Sequence, residues 1–302
     1  MAEQAEAAGI PPLWELPADV ARQNAELSFQ AFNQPMPESV RVEDRQIPGP
    51  AGNIPIKVFT PQGENQMFPL LIYFHGGGWV IGSPETHAKL CAELAEGAQV
   101  VVVSVGYRLA PEHPAPAALD DCIAAVRWCL EHATDLNATT DHFAVGGDSA
   151  GANLAAAACL RLRDDGGPLP SFQLLFYGAY HYDLDTESAH EHGEGKILDR
   201  RAMQWFWEHY LSGGANPKDP YIAPLHGNLK GLPPARLIVG TIDPLLDDSR
   251  LFTEKLEAAD VPVVLSEYPD QPHLFLQCSA ILDAGRRGVI EACMALREAL
   301  RA

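Results

Sequence analysis

Short runs of β-branched and aromatic residues alternate along the chain with longer amphipathic stretches, the pattern of a mostly parallel sheet covered by helices. Val40 to Gln46 and Ile54 to Thr60 alternate apolar and polar residues around Pro-Gly-Pro-Ala-Gly at 48–52, which predicts an antiparallel hairpin at a sheet edge. Leu70 to Phe74 and Val100 to Val105 are apolar runs of buried central strands. His142 to Gly147, Ser171 to Tyr177, Arg236 to Thr241 and Val263 to Tyr268 continue the series. Ser83-Pro84 reads as an N-cap with Pro at N1 and opens a helix to about Gly97. Further helices are expected through Ile123, Val126, Trp128 and Leu130, over Ala150 to Arg163, from about Leu246 to Ala259, and over Leu282 to Arg301.

Two segments break the alternation. Residues 1–38 are helical or irregular and precede the sheet, and residues 178–230 are too long and too polar for a simple crossover. Within the second, Met203, Phe206, Trp207 and Tyr210 follow i, i+3, i+4, i+7, one apolar helix face. Both segments are read as a cap over the C-terminal edge of the sheet, where open α/β sheets bind ligands. Residues 39–177 and 231–302 then make one α/β domain.

Composition narrows the partners. Across 302 residues, 40 acids face 21 bases, a formal net charge of -19. A nucleic-acid backbone or an anionic membrane surface would be repelled. The six cysteines form no C-x-x-C pair and sit largely in apolar helical patterns, so they are expected as buried reduced thiols. The first 20 residues are acidic and lack a basic segment followed by an apolar run, so they do not read as a secretory signal. No apolar stretch reaches the roughly 18 residues of a membrane span. The expectation is a soluble, cytoplasmic protein.

The chemistry sits in the loops. Gly147-Asp148-Ser149-Ala150-Gly151 is a G-x-S-x-G sequence between a predicted strand and a predicted helix. A serine there occupies a tight turn, its hydroxyl exposed above the sheet and facing the helix N-terminal amides. His75-Gly76-Gly77-Gly78-Trp79 follows the strand Leu70–Phe74. Three successive glycines free backbone N–H groups to converge on a carbonyl oxygen, which suits an oxyanion hole. No Gly-Lys-Ser/Thr follows, so a P-loop is excluded. A serine hydroxyl needs a base, and the base an orienting carboxylate. Asp243 follows the strand Arg236–Thr241, and Pro244 ends that strand behind it. Asp247 and Asp248 are rivals, but they fall inside the next helix, where they more plausibly serve its first turn. His273 is the sole histidine downstream of Asp243 and stands in a short loop before the last helix.

With these residues in place, the chain resembles the hormone-sensitive-lipase-like carboxylesterases (bacterial family IV) of the α/β-hydrolase superfamily. The resemblance rests on His75-Gly76-Gly77-Gly78-Trp79, Tyr107-Arg108-Leu109-Ala110-Pro111-Glu112-His113-Pro114, Gly147-Asp148-Ser149-Ala150-Gly151, Asp243-Pro244-Leu245, and Tyr268-Pro269 with His273. The Asp148 form resembles the GDSAG subgroup. The family implies an α/β-hydrolase fold with a helical cap, Ser149 as nucleophile, His273 as base and Asp243 as its orienter. It further implies an oxyanion hole from the amides of Gly77, Gly78 and Ala150, with His75 and Gly76 shaping that loop. Tyr107 to Pro114 would brace the nucleophile turn. No metal or organic cofactor is implied. The resemblance also implies a homodimer through the C-terminal strand and helix. Three positions depart from the family pattern. Ala152 and Leu274 stand where glycine is usual, and Leu246 where a charged residue is common.

The implied activity is hydrolysis of short- to medium-chain acyl esters through an acyl-enzyme. The alternatives are a ligand-binding receptor on the same fold, disfavoured by the presence of His273, and an amide-cleaving serine hydrolase. His181, Asp183, Asp185, Glu187, His190, Glu191 and His192 crowd one stretch, but without metal-ligand spacing they read as a solvated cap loop. Trp79, Phe206 and Trp207 are candidates to line the acyl pocket. For the Phe206–Trp207 helix face, packing of cap onto core fits the spacing equally.

Overall fold

A computed structural model describes residues 11–30, 33, 35–63, 67–195 and 197–300. The hairpin forms as β1 (Val40–Gly49) and β2 (Gly52–Pro61), paired antiparallel with Val40 opposite Pro61 and Gly49 opposite Gly52. The apolar runs become β3 (Phe68–Phe74), β4 (Val101–Val105), β5 (Ala138–Asp148), β6 (Phe172–Phe176), β7 (Ala235–Gly240) and β8 (Val263–Tyr268). They assemble into one sheet ordered β1-β2-β4-β3-β5-β6-β7-β8. β2 meets β4 antiparallel, and every pairing from β4 to β8 is parallel. The first part of the chain builds outward through β4, β2 and β1, and the rest builds the other way from β5. The order therefore reverses beside β3.

Strands buried on both faces read as continuous hydrophobic runs, and the two faces divide them by period two. Leu70, Ile72 and Phe74 of β3 join Val101, Val103 and Val105 of β4 in the core beneath α3 (Ala117–Glu131) and α4 (Ala150–Asp164). Leu71, Tyr73 and Val102 turn to the other face, against α2 (Ala88–Ala98) and α8 (Asp283–Leu300). Before the sheet come a short 3₁₀ turn at Leu13–Glu15 and α1 (Ala18–Gln30), whose Ala21 and Ala25 enter the first of these cores. Residues 1–10 of the expected N-terminal cap segment lie outside the described residues.

One predicted helix start moves. α2 begins at Ala88, and Ser83 with Thr86 closes a separate turn ahead of it. The Ser83 amide donates to the Thr86 hydroxyl, and that hydroxyl donates back to the Ser83 carbonyl at 2.8 Å. The Ser-Pro pair thus resembles a helix cap locally but caps a turn.

Residues 178–230 carry α5 (Glu187–His192) and α6 (Arg200–Tyr210) and return to the sheet at β7. They are tied down by backbone bonds from Ala179 to the Ser149 carbonyl and from Ala115 to the Tyr210 carbonyl, and from below by side chains. Asn153 of α4 donates to the carbonyls of Ala179 and Ile222 at 2.7 and 2.9 Å. Here Asp247 and Asp248 stand in the first turn of α7 (Leu246–Ala258), as expected, and make contacts beyond it. The Asp247 carboxylate accepts from the Ser188 amide, and that of Asp248 accepts from the Tyr180 amide and pairs with the His181 ring at 3.0 Å. Their carboxylates reach across to the inserted segment because its backbone amides there have no ladder partner.

Candidate active site

β3 and β5 are neighbours, with Phe74 opposite Gly147, so the loops leaving their C-terminal ends emerge side by side where the strand order reverses. One loop is His75 to Trp79. The other is a single residue, Ser149, between the last residue of β5 and the first of α4. Ser149 takes φ 54° and ψ -118°, a conformation that costs a non-glycine residue on the order of 1–3 kcal/mol. Backbone contacts fix it: its amide donates to the Phe176 carbonyl at 2.8 Å, and its carbonyl accepts from the amides of Ala152, Asn153 and Ala179 at 3.1, 3.2 and 3.4 Å. Gly151 lets α4 start this close to β3, since a Cβ there would run into the carbonyls of Phe74 and His75.

The polar side chains converge in a chain. His273 Nε2 lies 3.1 Å from Ser149 Oγ, and His273 Nδ1 lies 2.7 Å from Asp243 Oδ2. Asp243 Oδ1 accepts the Leu245 amide at 2.8 Å, so both of its carboxylate oxygens have partners in the two loops. All three side chains are buried, and the Tyr177 ring packs edge-on against the imidazole at 4.7 Å. The loop of His273 turns through Leu274 at φ +66°, a left-handed conformation normally supplied by glycine. Leucine at this position keeps the bend, and its side chain packs against the α2–α8 side of the core.

In the neighbouring loop, the amides of Gly77 and Gly78 donate to no protein acceptor among the described residues. Ala150 opens α4, so its amide has no intrahelical acceptor either. His75 Nδ1 donates to the Gly76 carbonyl at 2.7 Å, while its ring stacks on Tyr107 at 4.2 Å. Burial, with the nearby His87 ring, pushes His75 down to about 3, so it is neutral. The Tyr107 hydroxyl donates to the His75 carbonyl at 2.7 Å. Arg22 of α1 donates to the carbonyls of Val80 and Ala110, both at 2.7 Å, and pairs with Glu112.

The pocket candidates separate. The Phe206 ring lies against Gly78, where a Cβ would collide with it. Trp79 and Trp207 are 4.5 Å apart in a buried aromatic stack, with Trp79 flat on Tyr210 at 4.3 Å. The acidic and histidine-rich stretch disperses: His181 turns to Asp248, and exposed His190 pairs with Asp185 at 2.8 Å. Among the described residues, no group of three or more His, Cys, Asp or Glu is placed to hold a metal ion.

Sequence reasoning passed over the surroundings of Asp148. This carboxylate is fully buried and accepts from the Tyr73 hydroxyl at 2.7 Å and the Gly76 amide at 3.0 Å, with His87 and Gln277 also in contact. Burial alone would raise its carboxyl, but the His87 ring and the Tyr73 hydroxyl outweigh it and hold the group below the usual carboxylate range. The available signal was Asp148 itself, since an acid at the end of an apolar strand needs compensating donors.

A serine, an imidazole and a carboxylate in hydrogen-bond series beside unpaired amides can attack and stabilise an acyl carbonyl. Known ester hydrolases resemble this chain. A family model described as alpha/beta hydrolase fold matches residues 71–277. The carboxylic ester hydrolase LipN of Mycobacterium tuberculosis is 39% identical over 287 residues, covering 92% of this chain and 76% of that protein. The ethyl acetate hydrolase of Pseudomonas putida is 31% identical over 294 residues, 96% of this chain and 92% of that one. A solved ester hydrolase from a Lake Arreo metagenome, complexed with a bipyridine phosphonate derivative, superposes with a TM-score of 0.94 at 36% identity, covering 98% of this chain and 95% of that one. With fold, family model and full-length relatives in accord, the chain belongs to the alpha/beta hydrolase fold family and is a carboxylic ester hydrolase.

Proposed function

We propose that Ser149, His273 and Asp243 form the catalytic triad of a hormone-sensitive-lipase-like serine carboxylesterase of the GDSAG subgroup. The observation that carries this reading is the continuous series Ser149 Oγ–His273 Nε2–Asp243 at 3.1 and 2.7 Å. His273 takes the serine proton as Oγ attacks the ester carbonyl, and Asp243 holds the imidazole in the tautomer that presents Nε2. The amides of Gly77, Gly78 and Ala150 receive the negative charge of the tetrahedral intermediate, aided by the N-terminus of α4. Protonated His273 then donates to the leaving alcohol. Water activated by the same ring releases the acid from the acyl-enzyme.

Phe206, edge-on to Trp205 and against Gly78, forms the pocket wall nearest the oxyanion loop, with Trp79 and Trp207 packed on each other in the same cap-to-core layer. This walling fits short- to medium-chain acyl groups, in keeping with the substrate named for the Pseudomonas relative. Residues 1–38 and 178–230 act as the cap. Ser149→Ala should reduce hydrolysis of p-nitrophenyl butyrate to the uncatalysed rate, and retained turnover would remove the triad assignment. A homodimer through β8 and α8 is part of the same reading, supported by exposed Val264, Ile290 and Met294 on those elements. Light scattering of the purified protein should return twice the chain mass.

A further inference from the structure

The glycine loop keeps its shape against the backbone's own preference. Gly77, Gly78 and Trp79 follow one another at φ 114°, 58° and 60°, so positive φ runs through three residues, one of them a tryptophan. The turn closes through the Gly77 carbonyl, which accepts from the amides of Val80 and Ile81 at 3.1 and 2.9 Å. A trans peptide points its N–H opposite to its C=O, so these two bonds also set the direction of the Gly78 amide. The near end of the loop is held by Asp148 at the Gly76 amide and by Tyr107 at the His75 carbonyl. The far end needs a separate anchor.

Arg22 of α1 supplies it. Its Nε donates to the Val80 carbonyl and one terminal nitrogen to the Ala110 carbonyl, both at 2.7 Å. Among the described residues, the first of these is the one side-chain hydrogen bond to the backbone of residues 77–82. The second holds the loop at one remove, since the Ala110 amide donates to the Trp79 carbonyl at 2.9 Å. One guanidinium thus secures both residues that follow Gly78. Glu112 fixes the fork by accepting from its two terminal nitrogens. The arrangement uses the planar spread of an arginine, because a lysine ammonium is a single point that cannot span both carbonyls and the carboxylate. α1 has its own apolar attachment through Ala21 and Ala25, so these bonds are additional to its docking.

We propose that Arg22 is a positioning residue of ester hydrolysis: by gripping the Val80 and Ala110 carbonyls, it holds the Gly77–Gly78 turn in the form that presents its amides to the oxyanion. The N-terminal helix then supports the hole as well as covering the sheet. The inference rests on the oxyanion assignment of Gly77 and Gly78.

The test compares the unaltered enzyme with Arg22→Met, which keeps the length of the side chain and loses every donor. Active sites are titrated with an organophosphate so that kcat on p-nitrophenyl butyrate refers to competent enzyme. An alkyl trifluoromethyl ketone, whose hemiketal oxygen mimics the oxyanion, reports on the hole. The expected result is a kcat lower by about fivefold with KM changed less than about twofold, and ketone affinity weakened by the same factor as kcat. A lower melting temperature with kcat per titrated site unchanged makes the arginine a structural strap only and overturns the proposal. A lower kcat with ketone affinity intact overturns it too. Failure of the ketone to form a hemiketal with the unaltered enzyme overturns the triad reading and this inference with it. Should Arg22→Met not fold, Arg22→Lys is judged by the same two readings. It keeps a positive charge beside Glu112 but cannot hold both carbonyls, so kcat and ketone affinity must still fall together.

Discussion

The loops bearing Ser149 and Gly76–Gly78 are held from directly beneath, by backbone hydrogen bonds together with the buried Asp148 carboxylate and Tyr107 hydroxyl, whereas residues 178–230 are fastened largely by side chains reaching up from α4 and α7. Ser149 is held by the Phe176 carbonyl and by its own helix, and Gly151 lets β3 and α4 approach until no Cβ fits between them. The inserted segment depends instead on Asn153, Asp247, Asp248 and an aromatic stack centred on Trp79. The first region holds a strained serine in one conformation. The second can change its contacts by rotating side chains, so it can alter substrate fit without disturbing the reacting groups.

This contrast can be broken at three points. Gly151→Ala forces a Cβ into the Phe74 and His75 carbonyls and should destabilise the protein by about 3 kcal/mol. Chemical denaturation reads that loss, and kcat should collapse with it. Asp248→Ala leaves the Tyr180 amide and the His181 ring without their buried acceptor, a loss of about 2 kcal/mol. Its signature in kinetics should be the reverse, a KM raised several-fold with kcat held within about twofold.

The smallest effect concerns the strap from α1. Arg22 holds Glu112 down to about 2, chiefly through their hydrogen bonds. A depressed carboxyl stabilises the fold above its unfolded value of 4.5 and loses that contribution as pH falls toward about 2. Because Glu112 is half exposed, Glu112→Gln should cost only about 0.5 kcal/mol at neutral pH. Melting curves of the two proteins should converge as the solution is acidified through that window.

The strands, the strand-to-helix turn at Ser149 and the grouping of Ser149, Asp243 and His273 were legible in sequence because each depends on local pattern or chain order. His87 was not. It directly follows a Ser83–Thr86 turn that imitates a helix cap, and its partner Asp148 comes from β5, far along the chain. Asp247 and Asp248 do stand in the first turn of their helix, and their further contacts were hidden for a related reason. Acids at a helix start look sufficient for that helix, and only tertiary structure reveals the amides of Tyr180 and Ser188 overhead. Leu274 was marked as a departure from the family pattern, but sequence could not show that a leucine there takes a left-handed bend.

The six cysteines offer a different use of the fold. All are buried free thiols, spread over α2, α3, α4, α8 and the loop after His273. Burial pushes Cys129 and Cys293 up to about 12, so in the closed protein almost none of either is the reactive thiolate. A thiol reagent must wait for its helix to open. Timed labelling followed by mass analysis of peptides would therefore act as a clock on separate parts of the molecule, recording which helices loosen first while a serine-directed probe counts the sites still working.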